Sequence, residues 1–224
     1  MNIIVIAQVE EHQVQHISNE LARQTIKPDK IAILVDKKPA RGIDRRRKRI
    51  TKNHSQLVDL VEMNKNIDLV WQVEGDCVLP DDCLERLLED YDVLKGKDFG
   101  YISGVQVGRH GLYAIGAWHI PKDRKTFRSV DYRNKAGLYK VDATGFYCLL
   151  APRDVWLSGK VSWNREPWGP DVNWGLSIDK DIYVDMSLEI GHKIKGGVIY
   201  PKHISTVNVD FYQKDGRWLY KTHE

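Results

Sequence analysis

The sequence predicts one α/β domain, in which a mostly parallel central sheet is flanked by helices. In the first half of the chain, apolar runs of strand length alternate with segments whose apolar residues recur at helical spacing. The 224 residues suffice for one good core, and the composition, 29% charged and 42% hydrophobic, is that of an ordinary globular protein. No apolar run approaches the roughly 20 residues that a membrane span needs.

The opening residues are a strand-helix-strand unit. Asn2 to Ala7 is a continuous apolar run, typical of a strand buried on both faces. Helical spacing follows from Glu11 to Thr25, and Ile31 to Val35 is a second buried strand that closes on Asp36. Such a unit predicts a parallel pair with a right-handed crossover. The same criteria predict helices at 56–63 and 82–94 and strands at 67–73 and 100–107.

The second half is less regular. Residues 108–140 have no clear period and are too long for a simple connection, so we expect an insertion with short strands. Beyond it the patterns predict a strand at 141–151, helices at 153–157 and 171–179, and a strand at 182–184. The tail from residue 193 is expected to be loop-like, with a late strand at 206–211. We see no repeat or linker, and expect one domain over 1–224.

Two carboxylates flank a glycine where the third strand reaches the surface, in Glu74-Gly75-Asp76. Carboxylate oxygens suit hard cations such as Mg²⁺ and Mn²⁺, and Mg²⁺ sites commonly combine one or two carboxylates with substrate phosphates. Glycine lets a backbone approach a ligand closely. Ligands of open α/β sheets sit at such strand ends. The triplet is therefore a candidate cation and phosphate site, although acid-Gly-acid is also a common turn.

The segment from Lys37 to Lys52 is strongly basic. It is either a solvated loop or helix face, or a group of cations that holds a diphosphate or a polyanionic acceptor. The net charge of +3 is too small to favour a nucleic-acid partner by itself. Three cysteines without zinc-like spacing indicate a reducing, cytoplasmic compartment.

Five short motifs occur in an order that resembles the glycosyltransferase A-type (GT-A) fold, and especially family-2-like transferases that use nucleotide sugars. The resemblance covers about residues 2–197. The motifs are the opening unit closing on Asp36, EGD followed by LPDDCLERLL, VDATGFYCLLAPRDVW, GPDVNWGLSI and DMSLEIGHKIKG. The resemblance implies a nucleotide-sugar-binding half at 1–107 and an acceptor-facing half at 108–224.

The resemblance assigns roles residue by residue. Glu74 and Asp76 stand where the family has its Asp-x-Asp signature, with Asp76 the direct metal ligand and Glu74 a ribose or water-mediated contact. His192 resembles the family's additional metal ligand, and an imidazole beside carboxylates suits Mn²⁺ better than Mg²⁺. Asp36 matches the nucleobase contact. The full set expected to bind the donor, a UDP-sugar above all, is Ala7, Asp36, Arg45, Arg49, Glu74, Gly75 and Asp76.

Asp171 resembles the family's general base. The family usually has a Glu-Asp pair here, whereas this chain has Pro170-Asp171. An acid at a helix start is otherwise a cap. A carboxylate base implies a single displacement with inversion at the sugar carbon.

The acceptor side is expected to include Gly145, Trp168 and Trp174, and Trp163 is also close to Asp171 in the sequence. Aromatic faces stack on sugar rings or on nucleobases. The acceptor is thus a saccharide or glycolipid, or a hydroxymethylated pyrimidine in DNA. Some phage enzymes of this general type glycosylate such DNA, and basic residues beyond Lys52 would then contact the phosphates: Arg124, Lys125, Arg128 and Arg133.

Three other classes compete with this interpretation. A nucleotidyltransferase has a related fold but normally carries a Gly-rich, basic signature after the first strand, where this chain has Gln8-Val9-Glu10-Glu11. A dinucleotide-dependent oxidoreductase would show Gly-x-Gly-x-x-Gly at that point. A non-catalytic carbohydrate- or nucleic-acid-binding module on a transferase fold stays open, because Glu74 and Pro170 depart from the family pattern.

Overall fold

The computed structural model describes residues 1–37, 43–108, 114–121, 126–161, 169–204, 208–214 and 217–223. Its helices are α1 (Val14–Arg23), α2 (Ile43–Met63), α3 (Cys83–Leu94), α4 (Arg153–Ser158) and α5 (Pro170–Ser177), with 3₁₀ turns at Glu11–Gln13 and Pro201–His203. Its strands are β1 (Ile3–Glu10), β2 (Lys30–Asp36), β3 (Leu69–Glu74), β4 (Cys77–Val78), β5 (Phe99–Gln106), β6 (Ala117–His119), β7 (Thr126–Ser129), β8 (Leu138–Val141), β9 (Ala143–Thr144), β10 (Cys148–Pro152), β11 (Asp181–Ile194), β12 (Gly197–Ile199), β13 (Asn208–Lys214) and β14 (Arg217–His223).

The central sheet has the mostly parallel character that the sequence predicts. Within the described ranges it contains nine strands, seven of them in the order β12-β11-β5-β10-β3-β1-β2, while β4 and β8 also pair with β11. The pairs β1–β2, β1–β3 and β5–β11 are parallel, and β10 runs antiparallel between β3 and β5. The carboxyl ends of β1, β2 and β3 consequently meet at one edge of the sheet.

Helices cover both faces of this sheet, and the alternation of side chains along β1 shows how. Ile4 and Ile6 belong to one buried cluster, which includes residues of α2, α4 and α5. Val5 and Ala7 belong to a second cluster, which includes residues of α1 and α3. Because successive side chains of a strand point to opposite faces, a strand buried on both faces must be apolar throughout. No helix among the described residues is long and apolar enough to cross a membrane.

The tail of the chain differs from the expected loop. β13 and β14 form an antiparallel hairpin that joins β7, β6 and β9 in a second sheet, five-stranded in the part of the chain that the structure describes. The late strand expected at 206–211 lies at 208–214 and has a partner strand after it. Arg217–His223 contains Trp218, Tyr220 and Thr222, which are residue types enriched in strands, and this composition was the available signal.

Two central elements are longer than expected. α2 begins at residue 43, whereas the sequence predicted a helix from residue 56. The basic first half escaped prediction because its few apolar residues show no helical period. β11 has 14 residues rather than three. It pairs successively with β5, β8, β4 and β12, and a register shift between Asp185 and Glu189 interrupts the pairing with β5.

Between α2 and the sheet lies a buried histidine, His54. Its side chain is 4% exposed, its ring stacks on Phe146 at 5.4 Å with an interplanar angle of 2°, and Trp156 lies 4.9 Å away. Neither ring nitrogen has a hydrogen-bond partner within the described structure. Burial lowers the pKa of His54 to about 4, because the charged ring would lose its hydration.

This histidine is expected to make the protein acid-sensitive. The pKa of His54 is lower in the folded state than in the unfolded chain, so unfolding takes up a proton between about pH 6.5 and pH 4, and stability is lost as the pH falls. From pH 8 to pH 5 the expected loss is about 2 kcal/mol from this residue alone. Urea unfolding of His54→Phe at pH 8 and pH 5 should show that the free energy of unfolding falls by about 2 kcal/mol less than in the wild-type protein. His203→Phe, at an exposed site, is the control, and an undiminished pH difference in His54→Phe would contradict the assignment.

Candidate active site

A cleft of about 200 Å³ opens at the carboxyl ends of β1, β2 and β3, where the sequence places the donor site. Strand pairing sets Gln8 beside Glu74 and Glu10 beside Asp36. Helix α2 and the segment before β10 supply the remaining wall. The cleft is lined by Gln8, Val9, Glu10, Gln13, Asp36, Arg49, Ile50, Gln72, Val73, Glu74, Gly75 and Phe146.

Arg49 connects helix α2 to two strand ends across this cleft. Its Nε lies 2.7 Å from Oδ2 of Asp36, and its Nη2 lies 3.5 Å from Oε1 of Glu10. Asn53, one helical turn further on, donates from Nδ2 to Oδ2 of Asp36 at 3.4 Å. The side chain of Arg49 is 18% exposed and that of Asp36 is 14% exposed, so this ion pair lies largely out of water. It fixes the position of Asp36 before any ligand binds.

The charge of the cleft is unusual for a site that is to hold a diphosphate. Among the described residues, three carboxylates, those of Glu10, Asp36 and Glu74, line it together with the guanidinium of Arg49. An anion would be repelled by these carboxylates, and the repulsion is strong where water is excluded. Against this part of the lining, a diphosphate needs compensating positive charge.

Gly75 is required by the packing of the acidic turn. A Cβ atom at this position would lie 2.6 Å from Oε1 of Gln13 and 2.9 Å from Cγ1 of Val9. Oε1 of Gln13 in turn accepts the backbone N–H of Glu10 at 2.8 Å. The absent side chain thus lets the turn sit directly against the end of β1, with Glu74 on the cleft side.

Asp76 and His192 face each other on the other side of Gly75. Nε2 of His192 lies 3.5 Å from Oδ2 of Asp76, and the two side chains are 5% and 13% exposed. Nδ1 of His192 lies 2.9 Å from the carbonyl oxygen of Val107. Because a carbonyl can only accept, Nδ1 carries a hydrogen, and Nε2 is the nitrogen directed at the carboxylate. Metal-binding histidines are commonly oriented in this way by a backbone carbonyl.

The far end of β11 is what brings these two residues together. His192 stands opposite Cys77 in the antiparallel pair of β11 and β4, and the N–H of Lys193 donates to the carbonyl of Asp76 at 2.8 Å. Asp76 and His192 are a two-residue set: no group of three or more His, Cys, Asp or Glu side chains in the described ranges converges as a metal site. The set fits a cation whose other positions are filled by substrate phosphate oxygens.

Helix α1 supports the acidic turn through residues that the sequence did not reveal. His16 donates from Nε2 to the carbonyl oxygen of Cys77 at 2.8 Å. The buried carboxylate of Glu20 accepts the N–H of Leu79 at 2.7 Å and lies 3.7 Å from Nδ1 of His16. A histidine and a glutamate four residues apart in an amphipathic helix were the available signal.

Asp171 begins helix α5, which has Gly169 at its N-cap and Pro170 in its first turn. Its carboxylate is directed toward Gly145, since Oδ2 would be 3.4 Å from a Cβ atom at that position. Burial raises the pKa values of Tyr101 and Tyr147, and the negative charge of Asp171 raises both further. Both phenols therefore remain neutral beside Asp171.

Residues 145–147 link Asp171 to the cleft and to the acidic turn. Gly145 contacts Asp171, and Phe146 lines the cleft. The carbonyl of Tyr147 accepts the N–H of Glu74 at 2.9 Å and the thiol of Cys77 at 2.9 Å. The sequence predicts Gly145 as an acceptor-side residue, and the structure puts it between the candidate base and the candidate donor site.

Two residues that were predicted to bind the donor, Ala7 and Arg45, do not line the cleft. Ala7 is fully buried, because β1 continues to Glu10, so Gln8, Val9 and Glu10 line the cleft in its place. Arg45 is exposed on α2, one turn before Arg49, and does not line the cleft.

The prediction that Trp174 contacts the acceptor is also corrected. Its side chain is 0% exposed and packs with Tyr101 and Phe146, so both faces of the indole are covered by protein and cannot stack on an acceptor. Trp163 and Trp168, together with Arg41, Arg124 and Lys125, lie outside the described residues.

Known proteins resemble this chain in structure only. No family model and no curated sequence matches it. The crystal structure of A197 from STIV superimposes with a TM-score of 0.55 at 13% identity, over 96% of this chain and 95% of that one. The crystal structure of GalNAc-T7 with UDP, GalNAc and Mn²⁺ gives 0.57 at 10% identity, over 86% of this chain and 44% of that one.

The chain has a Rossmann-like, GT-A-type fold. The mixed sheet with its parallel core, its helices on both faces and its superposition on GalNAc-T7 agree on this point. CMP:2-keto-3-deoxy-manno-octonic acid synthetase complexed with CTP gives a TM-score of 0.43 at 10% identity, over 82% of this chain and 89% of that one, which is too low to support the assignment. At 10–13% identity the likeness to A197 and GalNAc-T7 concerns the fold, and activity must be argued from the site.

Proposed function

We propose that this protein is a metal-dependent glycosyltransferase, which moves a sugar from a nucleoside diphosphate donor to a hydroxyl group. The observation that carries the proposal is the pair Asp76–His192, whose Nε2 and Oδ2 atoms lie 3.5 Å apart beside a cleft with three carboxylates. The fold neighbour GalNAc-T7, solved with UDP, GalNAc and Mn²⁺, supports the choice of donor class and of cation.

Asp76 and His192 would hold a divalent cation, with Mn²⁺ favoured over Mg²⁺ because a nitrogen ligand is present. Such a cation would stabilise the charge that develops on the leaving diphosphate. The protein's part is to fix the two ligands: Val107 orients the imidazole, and the pairing of β4 with β11 fixes Asp76 next to it. Glu74, which lines the cleft on its side of Gly75, would contact the ribose of the donor.

Asp171 is proposed as the general base that takes the proton of the attacking hydroxyl. A base on the opposite side of the sugar from the leaving group leads to inversion in one displacement. Tyr101 and Tyr147, both neutral, add no charge that would compete for the proton. The segment 145–147 lies between Asp171 and the acidic turn, and positioning of the reacting groups can supply several kcal/mol of catalysis.

The acceptor is proposed to be a saccharide or glycolipid, or a hydroxymethylated pyrimidine in DNA. Arg45, Lys48 and Lys52 are exposed along α2, and this basic face supports a polyanionic acceptor. Arg128 is less suited to phosphate contact than the sequence predicts, since its guanidinium bonds Asp210 through both Nε and Nη2. Arg133 bonds Asp131 in a similar way.

Donor hydrolysis tests the proposal without knowledge of the acceptor. Wild-type protein is incubated with UDP-glucose, UDP-GalNAc, GDP-mannose and other nucleotide sugars, each with Mn²⁺, Mg²⁺ or EDTA, and free sugar and nucleoside diphosphate are measured by NMR. We expect slow release from one donor with Mn²⁺ and none with EDTA. Formation of a nucleoside triphosphate and a sugar 1-phosphate when pyrophosphate is added, or no turnover of a donor that binds, would contradict the proposal in favour of a nucleotidyltransferase or a binding module.

A further inference from the structure

The strand β2 is the outermost strand of the central sheet in the described part of the chain. It pairs in parallel with β1 along all seven residues from Lys30 to Asp36, and no strand of the described ranges pairs with its other side. A strand in this position presents a row of backbone donors and acceptors to any second strand. Edge strands of monomeric proteins usually carry an internal lysine, a proline or a bulge that prevents such pairing.

β2 has none of these protective features in its interior. Its sequence is KIAILVD, in which five consecutive apolar residues lie between one cation and one anion. Ile31 is 56% exposed and Val35 is 37% exposed, on the same face of the strand. Exposed apolar side chains also occur beside the edge, in the residues just before β2 and in the last turns of α2: Ile26, Leu60 and Met63, of which Met63 is 79% exposed. Lys30 bonds Asn64, directly after α2, which shows that these elements are adjacent.

The sequence of β2 is complementary to itself in one antiparallel register. With the two-fold axis at Ile33, Ile31 stands opposite the partner's Val35, and Ala32 stands opposite the partner's Leu34. Lys30 then stands opposite the partner's Asp36, so that each end of the pair joins a cation and an anion. Facing side chains in antiparallel strands have Cβ atoms roughly 4.5–5.5 Å apart, close enough for both contacts. A shift of the register by two residues would lose both charge pairs.

We infer that β2 is the interface between two copies of this chain, which pair antiparallel about Ile33 to form a continuous sheet across a two-fold axis. An interface of this kind is isologous, so it closes at two subunits and covers the β2 edge of both. The interface borders the cleft at its ends, because the same Asp36 bonds Arg49 within its own subunit. The inference rests on the sheet edge alone and is independent of the enzymatic activity.

Sedimentation velocity and light scattering of the full chain test whether the dimer exists. At tens of micromolar we expect a mass of about twice the 25.9 kDa of one chain. Ile31→Lys, which puts an amine into the apolar interface, should shift the mass to that of a monomer. Val93→Lys is the matched control, because Val93 is 60% exposed on α3, away from β2. The protein with this substitution should remain dimeric. Circular dichroism of both variants shows whether they are folded.

Disulfide trapping tests the register. Chains with Ile31→Cys and chains with Val35→Cys are mixed and oxidised with copper phenanthroline, which forms a disulfide only between thiols in near contact. The mixture should give covalent dimers, whereas each variant alone should not, since two copies of residue 31 would be about 14 Å apart along the strands. The native thiols of Cys77, Cys83 and Cys148 are buried and do not interfere. A monomeric wild type, a dimer that survives Ile31→Lys, or trapping by one variant alone would each overturn the inference.

Discussion

Asp171→Asn is expected to lower the turnover of sugar transfer by about 10²–10⁴-fold, which is the usual contribution of a well-placed general base. The amide has the shape of the carboxylate but accepts no proton at neutral pH. Donor affinity should stay within about twofold of wild type, because Asp171 contacts the segment at Gly145 and not the donor cleft. Initial rates and donor KM, measured with the donor that the hydrolysis panel identifies, separate the two effects.

The competing role for Asp171 is that of an acid in the first turn of a helix. Such a residue contributes about 0.3–1 kcal/mol through the helix dipole, and its loss would change stability and not the chemical step. Asp154→Asn is the matched control, since Asp154 is also the acid in the first turn of a helix, α4, and is exposed. Near-normal transfer by Asp171→Asn, or an equal loss in Asp154→Asn, would refute the assignment as base.

Asp76→Asn is expected to abolish the part of donor affinity that depends on Mn²⁺, a loss of at least tenfold. The change removes a charged ligand and leaves the shape of the turn intact, and the remaining carboxylates of the cleft then repel the diphosphate. His192→Gln should show a smaller loss of the same kind. Calorimetric titration of the donor with Mn²⁺ and with EDTA measures the effect, and Asp92→Asn, at an exposed site on α3, is the control.

An alternative role for the pair Asp76–His192 is a structural ion pair between the acidic turn and β11. In that case both substitutions would lower the free energy of unfolding and change donor affinity equally with and without metal. A donor affinity that does not respond to Mn²⁺ in the wild-type protein would exclude the metal assignment outright. The comparison of Asp76→Asn with wild type in EDTA therefore distinguishes the two roles.

The fold could be predicted because apolar runs of strand length alternate along the chain with segments whose apolar residues recur at helical spacing. β1 and β3 are apolar and largely buried on both faces, and such a pattern has few explanations other than a sheet covered by helices. β2 is equally apolar and was expected to be buried, but it is an edge strand in which Ile31 is 56% exposed. The basic half of α2 and the long β11 escaped prediction for opposite reasons. The first has too few apolar residues to show a period, and the second follows partners that lie far away in the sequence, namely β4, β5 and β8.

The candidate site could be predicted where it depends on strand ends. Asp36 and Glu74 follow buried parallel strands, and the geometry of such sheets brings them to one edge. Trp174 could not be assigned, because an indole near a candidate base looks the same in sequence whether it packs in the core or faces solvent. His16 and Glu20 were missed because their spacing of four residues indicates a side-chain pair but does not identify the backbone atoms of the acidic turn that they hold.

One measurement tests the central claim most directly: the thermal stability of the wild-type protein with each nucleotide sugar, in Mn²⁺, Mg²⁺ or EDTA. A ligand that binds the folded state raises the apparent melting temperature by mass action, and no acceptor is needed. We predict that one nucleotide sugar stabilises the protein in Mn²⁺ and fails to do so in EDTA. A panel in which no donor shifts the melting temperature, or in which a shift is the same with and without metal, would contradict a metal-dependent nucleotide-sugar site at Asp76 and His192.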